Sequence, residues 1–308
     1  MSKFVTILKT LLRIVIGLIF IVSAVLKLLS LDSFEIYIYS FNIFGFVLSG
    51  LVARCVIAAE LLFGAFFITK ILYKPTWWLM MAMLLGFTLL MVYVAIFRDD
   101  TNCHCMGEIV PLKPVWTIVK NVVLMLLMLL VRKEEDYQFR GKKAVGIILA
   151  AVSVLVPFAL FPMDGVYNAF SKSENQVNAE KFDKFMQDSI AQSLEISKGD
   201  YILGYLASGC EFCKLSAKKI DQIFMNNQLD TTRLVFFIWG PEEAVNNFRE
   251  ETKIEKYKYS IINPVKALNI VYGNFPTYVY IRDGKVLKVA NLREVEESFT
   301  VEFMEGKK

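Results

Sequence analysis

The sequence predicts a multi-pass α-helical membrane bundle of about five spans, followed by a smaller α/β domain. Two observations lead to this fold class. Hydrophobic residues make up 56% of the 308 residues and the mean hydropathy is +0.48, which is too apolar for a single soluble domain. From Ser171 onward, in contrast, charged residues and turn signals interrupt short apolar runs, as expected for a domain that buries a core of its own.

Each predicted span is a long apolar run, because crossing a bilayer takes about 20 such residues. We place the spans at residues 14–31, 51–69, 77–97, 115–131 and 144–161. A cleaved signal peptide is the alternative for the first run, since a basic N-terminus precedes it. The predicted domains are a transmembrane domain over residues 1–163, a connector with a helix over 164–198, and the α/β domain over 199–308.

Lysine and arginine are unevenly distributed over the short loops. With the N-terminus inside, the inner segments hold ten of them and the outer loops hold two. This bias predicts a cytoplasmic N-terminus and, after five spans, an extracytoplasmic C-terminal domain. We therefore expect a bacterial cytoplasmic (inner) membrane protein with all 5 cysteines on the oxidising side. The inner residues are Lys3, Lys9, Arg13, Lys70, Lys74, Arg132, Lys133, Arg140, Lys142 and Lys143, and the outer ones are Arg98 and Lys113.

The α/β domain is predicted from alternating helical and strand patterns and from its turn residues. Asp283-Gly284 between two β-rich runs is the strongest short hairpin signal. In chain order we expect a helix over 178–195, a strand over 201–206, a helix from 210 to about 225, a strand over 234–239, a helix after Pro241, an irregular segment over 253–273 with one short helix after Pro264, a hairpin of 277–281 and 286–289, and a last helix from Leu292.

The motif Cys210-Glu211-Phe212-Cys213 opens a helix directly after a buried strand. A thiolate is the nucleophile in disulfide exchange, and the N-terminus of a helix favours it. We therefore expect Cys210 to attack and Cys213, one turn into the helix, to resolve. Glu211 opposes the helix dipole, which indicates a moderate, reducing-type thiol. A structural disulfide and half of a metal site are the alternatives, although zinc usually takes four ligands.

Phe275-Pro276-Thr277 stands directly before the predicted hairpin. With the CxxC motif and the order of elements, it resembles thioredoxin-like proteins over residues 201–308. In that family the matching proline is cis and packs against the active-site pair, which the resemblance implies for Pro276. Where the family commonly has Trp before the first cysteine, this chain has Gly209. The resemblance implies an α/β thioredoxin-like domain with thiol–disulfide oxidoreductase activity.

A second cysteine pair, Cys103-His104-Cys105, lies in an outer loop. Closing a disulfide across one intervening residue makes a strained ring, and strained disulfides are the more oxidising ones. His104, the only histidine, is expected to stabilise a thiolate or to carry its proton. The alternatives are a surface histidine beside a structural disulfide and, with Met106, a soft ligand cluster for Cu(I).

The membrane part resembles MauE/DoxX-like membrane proteins over residues 9–131. MauE-type proteins are associated with disulfide formation in exported partners, and DoxX-type relatives with sulfur and quinone chemistry. The resemblance thus implies an exported client and makes quinone a candidate electron acceptor, while the sequence itself requires no cofactor and no metal. The residues that carry the resemblance are Arg13, Gly17 and Lys27 in the first span, Glu60 and Gly64 in the second, and the outer-loop cysteines.

Glu60 falls near the middle of the second span, where an ionisable side chain is usually paired or functional. We expect Lys27 and Arg54 as its partners. Either a structural ion pair or proton handling for the redox chemistry would explain it.

These features predict a membrane-bound thiol–disulfide oxidoreductase that exchanges electrons with exported protein thiols or disulfides. A copper-binding trafficking protein and a non-catalytic assembly factor are the alternatives. The sequence has no basic nucleic-acid patch, and the net charge of +4 comes largely from the inner loops, so nucleic acid is excluded as a partner. The client, the direction of electron flow, the oligomeric state and the role of Cys55 stay open. The candidate catalytic residues are Cys210, Cys213, Cys103, Cys105, Pro276, His104 and Glu60.

Overall fold

The structure, a computed structural model, describes residues 3–98, 100, 102–170 and 176–307. It divides into two compact units. The first is formed by Met1–Ile38 and Val47–Met163, and the second by Tyr39–Phe46 and Asp164–Lys308.

Helices make up the first unit. In chain order they are α1 (Lys3–Leu29), α2 (Leu31–Tyr39), α3 (Phe46–Thr69), α4 (Tyr73–Phe97), α5 (Pro114–Leu130) and α6 (Lys142–Leu155), which a π-helical turn (Val156–Leu160) extends.

Four helices in the described part of the chain are long and apolar enough to cross a membrane: α1, α3, α4 and α6 with its extension. The bundle prediction is therefore confirmed. The predicted span at 115–131 corresponds to α5, which has 17 residues and a length of about 25 Å at 1.5 Å per residue. It is packed against α4. Most of the apolar side chains of α6 stay exposed, which fits contact with lipid.

A close approach of two backbones joins α1 to α3. A Cβ atom on Gly17 would lie 2.9 Å from the carbonyl oxygen of Gly64, and one on Gly64 would lie 2.8 Å from that of Gly17. Glycines at such crossings let membrane helices pack tightly. Around this crossing, Ile16 and Phe20 of α1 share a core with Phe67 of α3.

The second unit contains a five-stranded mixed sheet. Its strands are β1 (Asp200–Ala207), β2 (Leu234–Trp239), β3 (Lys258–Ile261), β4 (Thr277–Arg282) and β5 (Lys285–Ala290), and its helices are α7 (Asp164–Phe170), α8 (Ala179–Met186), α9 (Ser189–Ser193), α10 (Glu211–Asn226), α11 (Glu242–Thr252), α12 (Pro264–Val271) and α13 (Glu297–Met304). The strand order is β3-β2-β1-β4-β5. β1, β2 and β3 are parallel, whereas β4 runs antiparallel to β1 and to β5.

The α/β prediction is thus confirmed, and the physical reason lies in its central strands. β1 and β2 are nearly continuous apolar runs that are buried over most of their length, the pattern of strands covered on both faces. The hairpin of β4 and β5 turns at Asp283 and Gly284, whose φ angles are 49° and 75°. Such positive values belong to the turn that Asp-Gly favours.

Three local predictions for this unit are wrong. The helix expected over 178–195 is split into α8 and α9, because the Asp188 side chain accepts the backbone N–H of Ile190 and caps a new helix. The segment 253–273 holds the strand β3 besides α12. The last helix starts at Glu297 rather than near Leu292. Part of the predicted connector, residues 171–175, lies outside the described residues.

Candidate active site

The first cysteine pair lies where β1 leads into α10. Cys210 is the N-cap of α10, and its Sγ accepts the backbone N–H of Cys213 at 3.3 Å. The sulfur thereby faces the helix end where backbone N–H groups are unpaired and the dipole is positive. Cys210 is partly exposed, so an incoming disulfide can reach it.

Cys213 has the opposite environment. It is fully buried, and its Sγ accepts the N–H of Ala207 at 3.4 Å. Burial raises the pKa of the Cys213 thiol well above its ordinary value, and a hydrogen bond with Cys210 adds to the effect. The first sulfur of the motif is thus accessible and the second is buried, and the roles of attacking and resolving thiol stay a prediction.

Pro276 reaches the same edge of the sheet as Cys210. β4 begins at Thr277, which pairs with Tyr205 near the end of β1, and β1 is the strand that leads to the CxxC motif. The peptide bond between Phe275 and Pro276 is cis, as the resemblance to thioredoxin-like proteins implied. The register alone therefore places Pro276 and Cys210 near each other.

An apolar surface near this edge was not identified from the sequence. Phe212, between the two cysteines, is 63% exposed. Trp239 ends the neighbouring strand β2, and its ring lies 6.0 Å from that of Phe275. Their positions in the sequence could have indicated this surface. Trp239 ends a buried strand and Phe275 precedes the proline, and the sheet topology brings both positions to the edge where the CxxC motif lies.

The charged side chains next to the CxxC motif form ion pairs. Lys214 pairs with Glu211 and with Glu251, each at 3.0 Å. Glu211 is therefore not a lone carboxylate acting against the helix dipole, as the sequence had indicated, but part of an exposed ion pair.

The second pair lies between α4 and α5, and both of its sulfurs are buried. The backbone N–H of Cys105 donates to Sγ of Cys103 at 3.3 Å. Sγ of Cys103 also lies 2.9 Å from the hydroxyl oxygen of Thr117 in α5. His104 between them has a positive φ of 51°, and its ring lies 4.8 Å from that of Tyr37.

The two thiols of this loop titrate very differently. A hydrogen bond from Cys105, with further help from Thr117 and the charge of Lys120, lowers the pKa of Cys103 to about 6 despite its burial. The same hydrogen bond and burial raise the pKa of Cys105 well above its ordinary value. At neutral pH Cys103 is therefore the thiolate of the pair and Cys105 its proton-bearing partner. Thr117 and Lys120, which also stabilise the thiolate, are neighbours in the fold that sequence analysis did not identify.

A chain of hydrogen bonds ties this loop to the charged pair in the bundle. The hydroxyl of Ser23 donates to the carbonyl oxygen of Cys105 at 3.0 Å, and the ammonium of Lys27 donates to Ser23 at 2.7 Å. Lys27 also lies 2.8 Å from each carboxylate oxygen of Glu60. Gly107 allows the loop to come this close, because a Cβ there would stand 2.4 Å from the carbonyl oxygen of Leu26.

The partners expected for Glu60 are half right. Lys27 is its partner, and the pair is buried, with the two side chains 2% and 7% exposed. Arg54 is not, because it forms an ion pair with Glu35 and donates to the carbonyl oxygen of Phe161 at 2.9 Å. Sequence analysis did not identify Glu35, which lies in the short helix α2 between the first two predicted spans.

A soft-metal ligand cluster is the alternative interpretation of the loop. Among residues 3–98, 100, 102–170 and 176–307, no group of three or more His, Cys, Asp or Glu could hold a metal ion. Sγ of Cys105 does lie 3.8 Å from the thioether sulfur of Met91 in α4. Cys55, the fifth cysteine, is exposed on α3.

Comparison with known proteins bears on both units. The chain is 23% identical to Protein TlpB of Flavobacterium psychrophilum over 334 aligned residues, which cover 91% of this chain and 90% of the relative. No solved structure matches. Residues 4–132, which include the loop cysteines, Lys27 and Glu60, match the family model described as Methylamine utilisation protein MauE. With four helices able to cross a membrane in the described part of the chain, the chain is an integral membrane protein, and its residues 4–132 are similar to the MauE family.

Proposed function

We propose that this protein is a membrane-bound thiol–disulfide oxidoreductase that exchanges electrons between thiols of exported proteins, the Cys210/Cys213 pair and the Cys103/Cys105 pair. One observation carries the proposal. In both pairs the backbone N–H of the second cysteine donates to Sγ of the first at 3.3 Å. The two thiols of each pair also share a hydrogen bond. Each pair therefore holds two sulfurs close together and favours negative charge on the first, which is what disulfide exchange requires.

The second unit acts on the client in this proposal, as a thioredoxin-like domain. Cys210 attacks the client disulfide, or receives the attack of a client thiolate, and the buried Cys213 resolves the mixed disulfide. The exposed ring of Phe212 and the paired rings of Trp239 and Phe275 offer apolar contacts for a client segment near the reacting sulfur. The strand order and the cysteine at the helix N-terminus support this assignment.

The loop pair exchanges electrons with the first pair and with an acceptor in the bilayer. A quinone would supply a two-electron acceptor there. Its reduction takes up two protons as well, and the protonatable groups Lys27, Glu60 and Lys120 surround the loop pair and interact with it or with one another electrostatically. The neighbourhood of Cys105 thus fits an acceptor that needs protons.

The proposal places both pairs on the extracytoplasmic side of a bacterial inner membrane. The bias of ten inner against two outer Lys and Arg residues supports this orientation. Disulfides persist in that compartment.

Trapping of clients tests the proposed function. A Cys213→Ser variant leaves Cys210 able to attack but unable to be released, so mixed disulfides with exported proteins should accumulate in cells and disappear on reduction. Cys210→Ser is the matched control and should trap none, because Cys213 is fully buried. Equal trapping by the two variants, or by neither, would contradict the proposed roles.

A second function is favoured by one contact. Cys103, Cys105 and Met91 bring two thiol sulfurs and one thioether together, and these soft ligands suit Cu(I). One copper ion per chain in protein purified from copper-supplemented cells, lost in the Cys103→Ser/Cys105→Ser variant, would support copper binding. Metal-free protein that keeps full disulfide exchange would exclude it as the main function.

A further inference from the structure

We propose that Lys120 is the counter-charge of the Cys103 thiolate and that it makes the loop pair the more oxidising of the two pairs. The inference rests on the proposed function and adds the direction in which electrons move. It stands on the position of Lys120 in α5, on the pairing of the other charges around the loop, and on the different surroundings of the CxxC motif.

Lys120 lies on the face of α5 that contacts the loop. Thr117, whose hydroxyl oxygen is 2.9 Å from Sγ of Cys103, precedes Lys120 by three residues. Residues three apart are neighbours on a helix surface. Asn121, the next residue, is buried, and Lys120 itself is half-buried. The ammonium group interacts electrostatically with both Cys103 and Cys105.

The remaining charges near the loop are already balanced. Lys27 and Glu60 neutralise each other at 2.8 Å, whereas in the described ranges no acidic side chain forms an ion pair with Lys120. Lys27, Lys120 and Glu60 together leave one positive charge beside the loop, and the Cys103 thiolate cancels it. The other titratable groups around the loop are His104, Tyr37, whose ring contacts that of His104, and the ion pair of Arg98 with Asp100 at 2.8 Å. Glu108 and Lys113, one acidic and one basic residue of the loop, are both exposed.

Oxidation of the loop pair removes this balance. When Cys103 and Cys105 form a disulfide the thiolate is gone, and Lys120 keeps an unmatched charge in a partly buried site, which is costly. The reduced state is therefore stabilised relative to the disulfide. A pair whose reduced form is stabilised is a stronger oxidant.

The CxxC motif lacks this device. Backbone N–H groups at the N-terminus of α10 face Cys210, but the nearby cation, Lys214, is held by Glu211 and Glu251 and adds no uncompensated positive charge to a Cys210 thiolate. Electrons should therefore pass from the Cys210/Cys213 dithiol to the Cys103–Cys105 disulfide, so that the protein oxidises its clients.

The transfer balances in atoms and charge. The Cys210 thiolate, after losing its proton to solvent, attacks Sγ of Cys105 and expels Cys103 as the thiolate, because the thiol of lower pKa leaves faster. Cys213 then attacks Cys210, and its proton goes to Cys105. Two electrons reach the loop pair, one disulfide breaks and one forms, and one proton is released to solvent.

The test measures the loop pair alone in the full-length chain. In a background of Cys55→Ser, Cys210→Ser and Cys213→Ser, the fraction of loop disulfide is measured in glutathione buffers by mass-shift alkylation, together with the pH dependence of alkylation of the reduced pair. Lys120→Met should raise the midpoint ratio [GSH]²/[GSSG] about tenfold, which is about 30 mV for this two-electron couple. It should also move the alkylation midpoint upward by about one pH unit. Lys120→Arg should keep both values near those of the background protein.

Lys113→Met is the matched control, because Lys113 is an exposed lysine at the N-terminal end of the same helix, and it should change neither value. Lys120→Gln serves as a second neutral variant if Lys120→Met does not fold. Midpoints unchanged in the neutral variants, or equally shifted in Lys120→Arg, would overturn the role of Lys120.

The direction of electron transfer is tested on the CxxC pair, measured in a Cys55→Ser/Cys103→Ser/Cys105→Ser background. This pair should need a higher [GSH]²/[GSSG] for reduction than the loop pair, and the reverse order would overturn the direction. A loop pair that forms no disulfide in any buffer would overturn the proposed function as well.

Discussion

The two loop cysteines show how neighbouring groups can separate the chemistry of like residues. Cys103 receives hydrogen bonds from Cys105 and contacts the hydroxyl of Thr117, and these hydrogen bonds, with the charge of Lys120, lower its pKa to about 6. Cys105 gives its proton to that interaction, and its pKa rises. The pair thus holds one nucleophile and one proton carrier, although the sequence alone does not distinguish the roles of the two cysteines.

Thr117→Val should weaken this asymmetry. The loss of the hydroxyl removes one interaction with the Cys103 thiolate, so the alkylation rate of the reduced pair at pH 6–7 should fall several-fold, with its midpoint moved upward from about 6. Because the pKa of Cys103 is lowered, reactivity is present above the midpoint and is lost as the pH falls through it. Thr88→Val is the control, since the hydroxyl of Thr88 donates to the carbonyl oxygen of Leu84 in its own helix. An unchanged pH profile in Thr117→Val would show that Thr117 does not stabilise the thiolate.

A substitution of Glu60 tests the contribution of the buried Lys27–Glu60 ion pair to stability. Glu60→Gln leaves Lys27, which is 2% exposed, without its carboxylate, and an unpaired buried charge costs about 3–5 kcal/mol. Thermal unfolding in detergent should show this loss. The double variant Lys27→Met/Glu60→Gln should regain part of it, because no charge is then left alone. Wild-type stability of Glu60→Gln would mean that the pair contributes nothing to the bundle.

At the level of elements, backbone close approaches decide where the reactive loop sits. Gly107 has a φ of 68°, and a Cβ there would meet the carbonyl oxygen of Leu26 at 2.4 Å and the hydroxyl oxygen of Ser30 at 2.5 Å. Glycine therefore lets the loop rest against α1. The hydrogen bond from Ser23 to the carbonyl of Cys105 at 3.0 Å depends on that contact.

Gly107→Ala should push the loop away from α1, because the new methyl group meets backbone atoms that cannot move aside. We expect a destabilised protein whose loop cysteines react faster with a bulky thiol reagent, as their burial is lost. Gly86→Ala in α4 is the control, since a Cβ there meets nothing within 4 Å, and it should be neutral. Wild-type reactivity and stability in Gly107→Ala would show that the loop does not rest on this contact.

The elements also show what the sequence could predict. Long apolar runs and the Asp-Gly turn determine their own structure locally, so the bundle, β1, β2 and the hairpin were predicted well. β3 has four residues at the sheet edge, and its sequence has no apolar run to mark it. The break between α8 and α9 depends on the cap at Asp188, which competes with a continuous amphipathic pattern.

Sequence motifs indicate part of the candidate site, and the rest depends on how the chain folds. Both cysteine pairs, Pro276 and the Lys27–Glu60 pair follow from motifs or from the cost of a buried charge. Thr117 and Lys120 could not be predicted, because their importance comes from a loop that folds against α5, and a polar residue near the end of an apolar helix is common. Arg54 was assigned to Glu60 because Glu35 lies in a short helix without a clear apolar period.

The whole molecule places its two cysteine pairs in separate units of one chain, so exchange between them should not depend on protein concentration. The orientation of the whole chain in the membrane can be tested by labelling. A membrane-impermeant thiol reagent added to intact spheroplasts after mild reduction should label Cys210, which is partly exposed. Labelling of Cys210 only after permeabilisation would place the second unit in the cytoplasm and contradict the relay.

The central claim is that the two pairs exchange directly, and trapping an intermediate tests it. Full-length variants that keep one cysteine of each pair, in a Cys55→Ser background, would be reconstituted and oxidised at several protein concentrations. The combination of Cys105 with Cys210 should form an intramolecular disulfide, seen as a mobility shift that is lost on reduction and is independent of concentration. The combination of Cys103 with Cys213 is the control and should form little, because Cys213 is fully buried. Failure of Cys210 to be trapped with either Cys103 or Cys105 would contradict the account and assign the pairs to separate functions.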